Sequence, residues 1–171
     1  PTRHAQLSQQ QAMSAEQRAR QQQQAATAAQ DRVRALEGQL RDLEAQQTER
    51  GLLVTLGDVL FAFDKAELSA QAAPRMDKLA SFLKQFPDRK VLIEGFTDSV
   101  GNDGYNRSLS ERRAQAAGDA LVQRGVDRAR ISARGFGKSH RVASNVSPEG
   151  RAMNRRVEIV IAAEQGNLRG R

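Results

Sequence analysis

The spacing of apolar residues divides the chain into a long helical segment followed by alternating strands and helices. Residues 5–47 are rich in Ala, Gln, Arg, Glu and Leu, and Gly38 is the only glycine or proline among them, which favours one long helix. A seven-residue apolar repeat runs through this segment, as is typical of a coiled coil. Its two series are Ala5, Ala12, Ala19, Ala26, Val33 and Leu40, and Ala15, Ala29, Leu36 and Leu43, with Gln22 as an interruption.

Two interpretations of residues 1–50 stay open from the sequence. Alanine buries little area, so the N-terminal half of the helix is weakly held in isolation, and a partly disordered linker is the alternative to a coiled coil. In both cases we expect a spacer or an oligomerisation stalk, with a homodimer through residues 5–47 as one consequence. The helix is expected to end between Thr48 and Gly51, with Gly51 as its C-cap.

Residues 51–163 have the pattern of one globular domain. Apolar runs at 52–63, 90–97, 131–136 and 155–162 predict strands, the first being a hairpin-like pair or one bent strand. Apolar spacing of 3–4 residues predicts two intervening helices, the first with Pro74 near its start. The second is expected to begin at Ser108, which forms a capping box with Glu111.

The resulting order of elements, βαβαββ, predicts an α/β fold. More closely, it predicts an α+β sandwich in which a mixed, partly parallel sheet carries helices on one face. One helical turn is expected over residues 148–153, and residues 164–171 are expected to form a flexible tail. The three predicted parts are therefore a stalk over 1–50, a domain over 51–163 and the tail.

The composition excludes several classes of function. All six Phe and the single Tyr lie between Phe61 and Phe136, so the core belongs to the C-terminal two-thirds of the chain. Cysteine is absent and the two histidines lie far apart, so we expect no disulfide, metal site or cofactor. No Ser-His or His-pair arrangement supports catalysis, and we expect no enzyme activity.

The net charge of +7 admits a polyanionic partner or simply a basic, soluble surface. Acids are interspersed among the bases, and aromatic residues do not alternate with them, so nucleic-acid binding is not expected. No apolar run reaches the roughly 18–20 residues of a membrane span. The chain begins at Pro1, so any signal peptide or lipid anchor would lie upstream.

Candidate chemistry is concentrated at the strand-to-helix junction Glu94–Gln115. Asp98 follows the strand, and helical phasing places Arg113 on the buried stripe of the next helix, with Arg112 about 100° away from it. A charge on a buried face must be paired or bind something, and ligands in such folds bind beyond the carboxyl ends of strands. We therefore expect Asp98 and Arg113 to pair, either as a structural salt bridge or as a site for a zwitterionic ligand.

Four runs of residues now carry a family resemblance. They are VLFAFDKAEL, FTDSVGNDGYNRSLSERRAQAA, ISARGFGKS and GRAMNRRVEI, collinear over roughly residues 52–163. This part of the chain resembles the OmpA-like C-terminal domain family, which includes peptidoglycan-associated lipoprotein and flagellar-stator modules. The resemblance implies non-catalytic, non-covalent binding of peptidoglycan through the meso-diaminopimelate of its stem peptide. It also implies the Gram-negative periplasm, association with the outer membrane and membrane attachment upstream of Pro1.

The resemblance also assigns roles to residues. It implies that Asp98 takes the diaminopimelate ammonium and that Arg113 binds its carboxylate. The other positions that match the family's site are Thr97, Asn106, Arg155 and Asp64. Phe96 departs from the His or Tyr usual in relatives, so a polar contact at the rim is expected to be absent. The alternative function is an oligomerising scaffold or signalling protein whose domain docks a protein partner.

Overall fold

A long N-terminal helix precedes a five-stranded sheet in the computed structural model, which describes residues 2–162, without the side chains of residues 2–8 and 13. The helices are α1 (Thr2–Asp42), α2 (Ala72–Gln85), α3 (Asp103–Gln123) and α4 (Pro148–Asn154). The strands are β1 (Gln46–Thr48), β2 (Gly51–Gly57), β3 (Val91–Phe96), β4 (Ile131–Gly135) and β5 (Arg156–Ile161). Short 3₁₀ turns cover Asp58–Leu60 and Arg128–Arg130. The tail predicted for residues 164–171 lies outside the described residues.

The chain divides into two compact units, Pro1–Leu40 and Arg41–Arg171. In the first unit, the described side chains from residue 9 to residue 35 are all exposed along α1. No helix in the described part of the chain combines the length and the hydropathy needed to cross a bilayer. The predicted stalk therefore contains a long helix, whose bounds differ from the prediction at the C-terminal end.

The helix α1 ends at Asp42, earlier than expected, and the prediction of Gly51 as its C-cap is wrong. Glu44 has a positive φ of 53°, a conformation that does not continue a helix. After it, β1 and β2 form an antiparallel hairpin in which Thr48 pairs with Gly51 across a two-residue turn. The first predicted strand run is thus one strand followed by a 3₁₀ turn, and its hairpin partner precedes it.

The sheet is mixed, as predicted, with the strand order β1-β2-β5-β3-β4. Only β3 and β4 pair in parallel, and the other neighbours are antiparallel. Although β5 comes last in the sequence, it lies between β2 and β3, and each of its six residues is buried. Its position in the middle of the sheet places the start of β5 next to the exits of two other strands.

One face of the sheet packs against helix α3, which in turn packs against α2. A side chain at Gly95 would collide with the carbonyl oxygen of Ser110, so α3 crosses β3 at backbone contact distance. Ile93, two residues earlier, lies on the same face. The core between these layers is aliphatic and includes Val54, Leu56, Met76, Leu79, Leu83, Val91, Leu121, Val157, Ile159 and Ile161.

The other face of the sheet carries buried charges. Glu94 of β3 and Glu158 of β5 are direct cross-strand neighbours, and both are buried. Each has an arginine partner: Arg50 lies 2.8 Å from Glu94, and Arg156 lies 2.6 Å from Glu158. These partners offset a like-charge contact that would otherwise destabilise the strand pair.

Replacing Gly95 with Ala is expected to destabilise the fold because the added Cβ would meet the backbone of α3. The free energy of unfolding should fall by roughly 3 kcal/mol or more, at the upper end of overpacking effects. Urea denaturation measures this change. Gly57→Ala is the matched control, since no described atom lies within 4 Å of the Cβ it would add. Similar stability losses in both variants would contradict the close packing of α3 on β3.

Candidate functional site

The exit of β3 is held by a network of hydrogen bonds. The Thr97 amide donates to the Gly137 carbonyl at 2.7 Å, and Asp98 Oδ1 accepts from the Val100 amide at 2.9 Å. Asn106 then donates from Nδ2 to the Val100 carbonyl at 2.8 Å. These bonds hold the loop after β3 and so fix the position of the second carboxylate oxygen of Asp98, Oδ2.

Helix α3 begins five residues before the predicted start at Ser108. Its N-cap is Asn102, whose side-chain oxygen accepts from the Tyr105 amide at 2.7 Å. The capping box therefore does not mark the N-terminus, because Asn102 supplies the acceptor earlier in the chain. The earlier start places Asn106 within the first turns of α3, where its side chain is buried against the loop.

Arg113 lies on the buried face of α3, as its phasing predicts, with only 2% of its surface exposed. Its Nε donates to the Lys65 carbonyl at 2.8 Å, and its Nη1 lies 2.8 Å from Asp58 Oδ1. The guanidinium carbon also sits 4.8 Å from the ring centre of Phe61. A buried cation requires such compensation, and Asp58 supplies the opposite charge.

Arg155 precedes β5 and joins two aspartates. Its Nε lies 3.0 Å from Asp58 Oδ2, and its Nη1 lies 2.6 Å from Asp98 Oδ2. Partial burial acts to lower the pKa of Arg155, but the hydrogen bonds and charges of the two carboxylates outweigh it and raise that pKa. Arg155 therefore remains a cation at any physiological pH.

Together these residues form one ion-pair chain, Arg113–Asp58–Arg155–Asp98. The expected direct pairing of Asp98 with Arg113 is wrong, because each pairs with a different residue. Asp58, at the 3₁₀ turn after β2, is not among the residues predicted for the site, because it falls inside an apolar run that predicts a strand. The one sequence feature that could have indicated Asp58 is its position as an acidic residue next to Gly57, where the apolar pattern of β2 ends.

Asp64 occupies a tight loop after the 3₁₀ turn, with a positive φ of 55°. Its Oδ1 accepts a hydrogen bond at 3.0 Å from the hydroxyl of Tyr105 on α3. This hydrogen bond raises the pKa of Tyr105, with smaller contributions from burial and from the negative charge of Asp64. The contact ties the loop to the first turn of α3.

All six residues predicted for the site line one cleft of about 330 Å³: Asp64, Thr97, Asp98, Asn106, Arg113 and Arg155. Asp58 lines it as well. Apolar side chains also contribute to its lining, and three of them are exposed: Phe63, at 94%, with Val100 and Tyr105. The cleft thus combines a charged floor with an exposed apolar rim.

Phe96 does not line this cleft. It follows Glu94 on the charged face of the sheet, where its ring stacks on Phe136 with the centres 5.5 Å apart. The guanidinium of Arg156 covers it at 4.0 Å. The departure from His or Tyr at this position is therefore accommodated by a buried aromatic and cationic contact on the far side of the sheet.

Comparison with known proteins matches residues 60–155, more than half of the chain, to the OmpA family. The chain belongs to the OmpA family. It is 49% identical over 108 residues to outer membrane porin F of Pseudomonas aeruginosa, covering 63% of this chain and 31% of the porin. It is 44% identical to the peptidoglycan-binding protein ArfA of Mycobacterium bovis, covering 63% of this chain and 33% of that protein.

The chain also resembles solved structures in its fold. The cell wall anchor of the type VI secretion system (T6SS) from Pseudomonas aeruginosa is 33% identical, with a TM-score of 0.64. The match covers 73% of this chain and 95% of the anchor. By contrast, the chain spans about a third of the length of the curated relatives it matches. The family match over residues 60–155 contains most of the residues that line the cleft.

The hydroxyl of Tyr105 is expected to titrate above the ordinary tyrosine pKa of about 10. Because folding raises the pKa of Tyr105, the stabilisation from the hydrogen bond to Asp64 is complete below the pKa of the unfolded state. It is lost as the pH rises through the raised pKa of the folded state. The chain has one Tyr and no Trp, so phenolate absorbance reports this group alone. Asp64→Asn should lower the midpoint, and an unchanged midpoint would contradict the contact.

Proposed function

We propose that this chain binds peptidoglycan non-covalently through the meso-diaminopimelate of the stem peptide and so anchors a protein to the cell wall. The observation that carries the proposal is the ion-pair chain on the floor of the cleft. It presents two carboxylates and two guanidinium groups next to each other at the ends of β3 and β2. Such an arrangement matches a ligand that carries both charges on one carbon.

The free end of diaminopimelate has an ammonium and a carboxylate. We infer that Asp98 accepts the ammonium, since its carboxylate lies at the strand exit and already receives the Val100 amide and Arg155. Arg113 and Arg155 lie on either side of Asp58 and supply the guanidinium groups for the ligand carboxylate. The planar fork of arginine suits a carboxylate because it can form two parallel hydrogen bonds.

The remaining predicted residues hold this geometry. Asn106 and Thr97 bond the loop after β3 and orient Asp98, while Asp64 fixes the opposite wall through Tyr105. In this proposal the three residues position the charged groups and contact the ligand's backbone. No covalent step is involved, so the domain acts as a binding module.

The relatives support the wider proposal. The name of ArfA describes peptidoglycan binding, and the similar solved structure is described as a cell wall anchor. We propose a periplasmic location near the outer membrane of a Gram-negative bacterium, in line with the porin F relative. Attachment to the membrane would lie upstream of Pro1, with residues 1–50 as the spacer and 51–163 as the binding domain.

The proposal predicts discrimination between two stem peptides. A peptide ending in diaminopimelate should bind about 10- to 100-fold more tightly than its lysine analogue, since lysine lacks the second carboxylate and its charged hydrogen bonds. Isothermal titration calorimetry on the whole chain measures both affinities. Equal affinities would contradict recognition of the second carboxylate.

Asp98→Asn is expected to weaken binding of the diaminopimelate peptide by a similar factor, because an amide does not attract an ammonium as a carboxylate does. Arg112→Ala, on helix α3, is the control. Arg112 is exposed and bonds only the Ser108 carbonyl among the described residues, so its removal should leave the affinity within about twofold. A loss of binding in the control alone would contradict the assignment of the ligand ammonium to Asp98.

A further inference from the structure

Among the described residues, Asp58 is the carboxylate that contacts both arginines of the cleft. Its Oδ1 lies 2.8 Å from Arg113 Nη1, and its Oδ2 lies 3.0 Å from Arg155 Nε. Both of its oxygens are therefore engaged, and 28% of its side chain remains exposed to the cleft. Asp98, by comparison, pairs with Arg155 but not with Arg113.

The charge of the ion-pair chain depends on this one residue. Asp58 and Asp98 balance Arg113 and Arg155, so the four side chains sum to zero. Without the carboxylate of Asp58, the same floor would carry one net positive charge. A neutral floor with separated charges favours a ligand that is itself a zwitterion, whereas a positive floor favours a simple anion.

The two arginines are buried to different extents, and their burial strengthens the influence of Asp58 on the charge of the cleft floor. Arg113 is nearly inaccessible, and Arg155 retains a third of its side-chain exposure, so neither charge is fully screened by water. Asp58 lies between them at hydrogen-bonding distance from both. A ligand carboxylate must therefore compete with Asp58 for the arginines, and it gains most when its own ammonium is bound by Asp98.

We propose that Asp58 sets the charge selectivity of the cleft, making it accept a zwitterionic ligand end and disfavour an anionic one. This inference rests on the proposed function and adds a residue that determines which form of the stem peptide is bound. An anionic end arises, for example, when the distal amine of diaminopimelate is acetylated. Such a ligand keeps the carboxylate but offers Asp98 no ammonium.

The test compares two peptides with the whole chain and with Asp58→Asn. One peptide has the free diaminopimelate end, and the other has the same end acetylated on its distal amine. The unaltered chain is expected to prefer the zwitterionic peptide by about tenfold or more. Asp58→Asn should shift the ratio of the two affinities by about tenfold towards the acetylated peptide, as measured by calorimetry.

Asp103→Asn is the control, since it also removes one negative charge but from the ion pair with Lys138 outside the ion-pair chain. It should leave the ratio unchanged. A second variant, Asp58→Glu, keeps the charge and is expected to retain the preference for the zwitterion. If Asp58→Asn fails to fold, Asp58→Ser takes its place, because serine keeps an oxygen acceptor without the charge.

The outcomes separate this inference from the proposed function. If the unaltered chain binds neither peptide, the proposed function fails and the inference falls with it. If it prefers the zwitterionic peptide but Asp58→Asn weakens both peptides equally, Asp58 has only a structural role and the inference alone is overturned. A shifted ratio in Asp103→Asn equal to that in Asp58→Asn would also overturn it, because total charge would then explain the effect.

Discussion

The chain of ion pairs from Arg113 through Asp58 and Arg155 to Asp98 is the interaction on which the rest of the cleft depends. Each member comes from a different element: helix α3, the turn after β2, the start of β5 and the exit of β3. A buried guanidinium is unfavourable without such partners, and removal of one partner leaves an uncompensated charge. The ion pairs therefore fix where four elements meet and which charges line the cleft.

The position of β5 explains how these groups come together. It is the last strand in the chain, yet it pairs with both β2 and β3 in the middle of the sheet. Arg155, just before β5, reaches the cleft, and the next residue, Arg156, lies on the opposite face over Phe96. The two adjacent arginines thus serve different sides of one strand, and the ion-pair chain is complete only when this final strand is in place.

Local patterns in the sequence predicted most of the fold and part of the site. Apolar periodicity placed the strands and helices, and helical phasing separated buried Arg113 from exposed Arg112. Asp58 was not predictable in this way, because its partners lie 55 and 97 residues along the chain and no local period encodes such contacts. The central position of β5 was not predictable either, since strand order in space does not follow from order in the chain.

Two ion pairs of the same chemistry differ in their exposure, and the difference indicates whether the charges of the cleft bind a ligand or only stabilise the fold. The pair Arg156–Glu158 has the same chemistry as Arg155–Asp58, but both of its side chains are at most 5% exposed and neither lines the cleft described above. Arg155 and Asp58 are each about 30% exposed beside an apolar rim. An enclosed ion pair loses its hydration and leaves no room for a ligand, whereas a partly exposed pair is accessible from the cleft. The partial exposure of Arg155 and Asp58 therefore favours a ligand-binding role for the cleft.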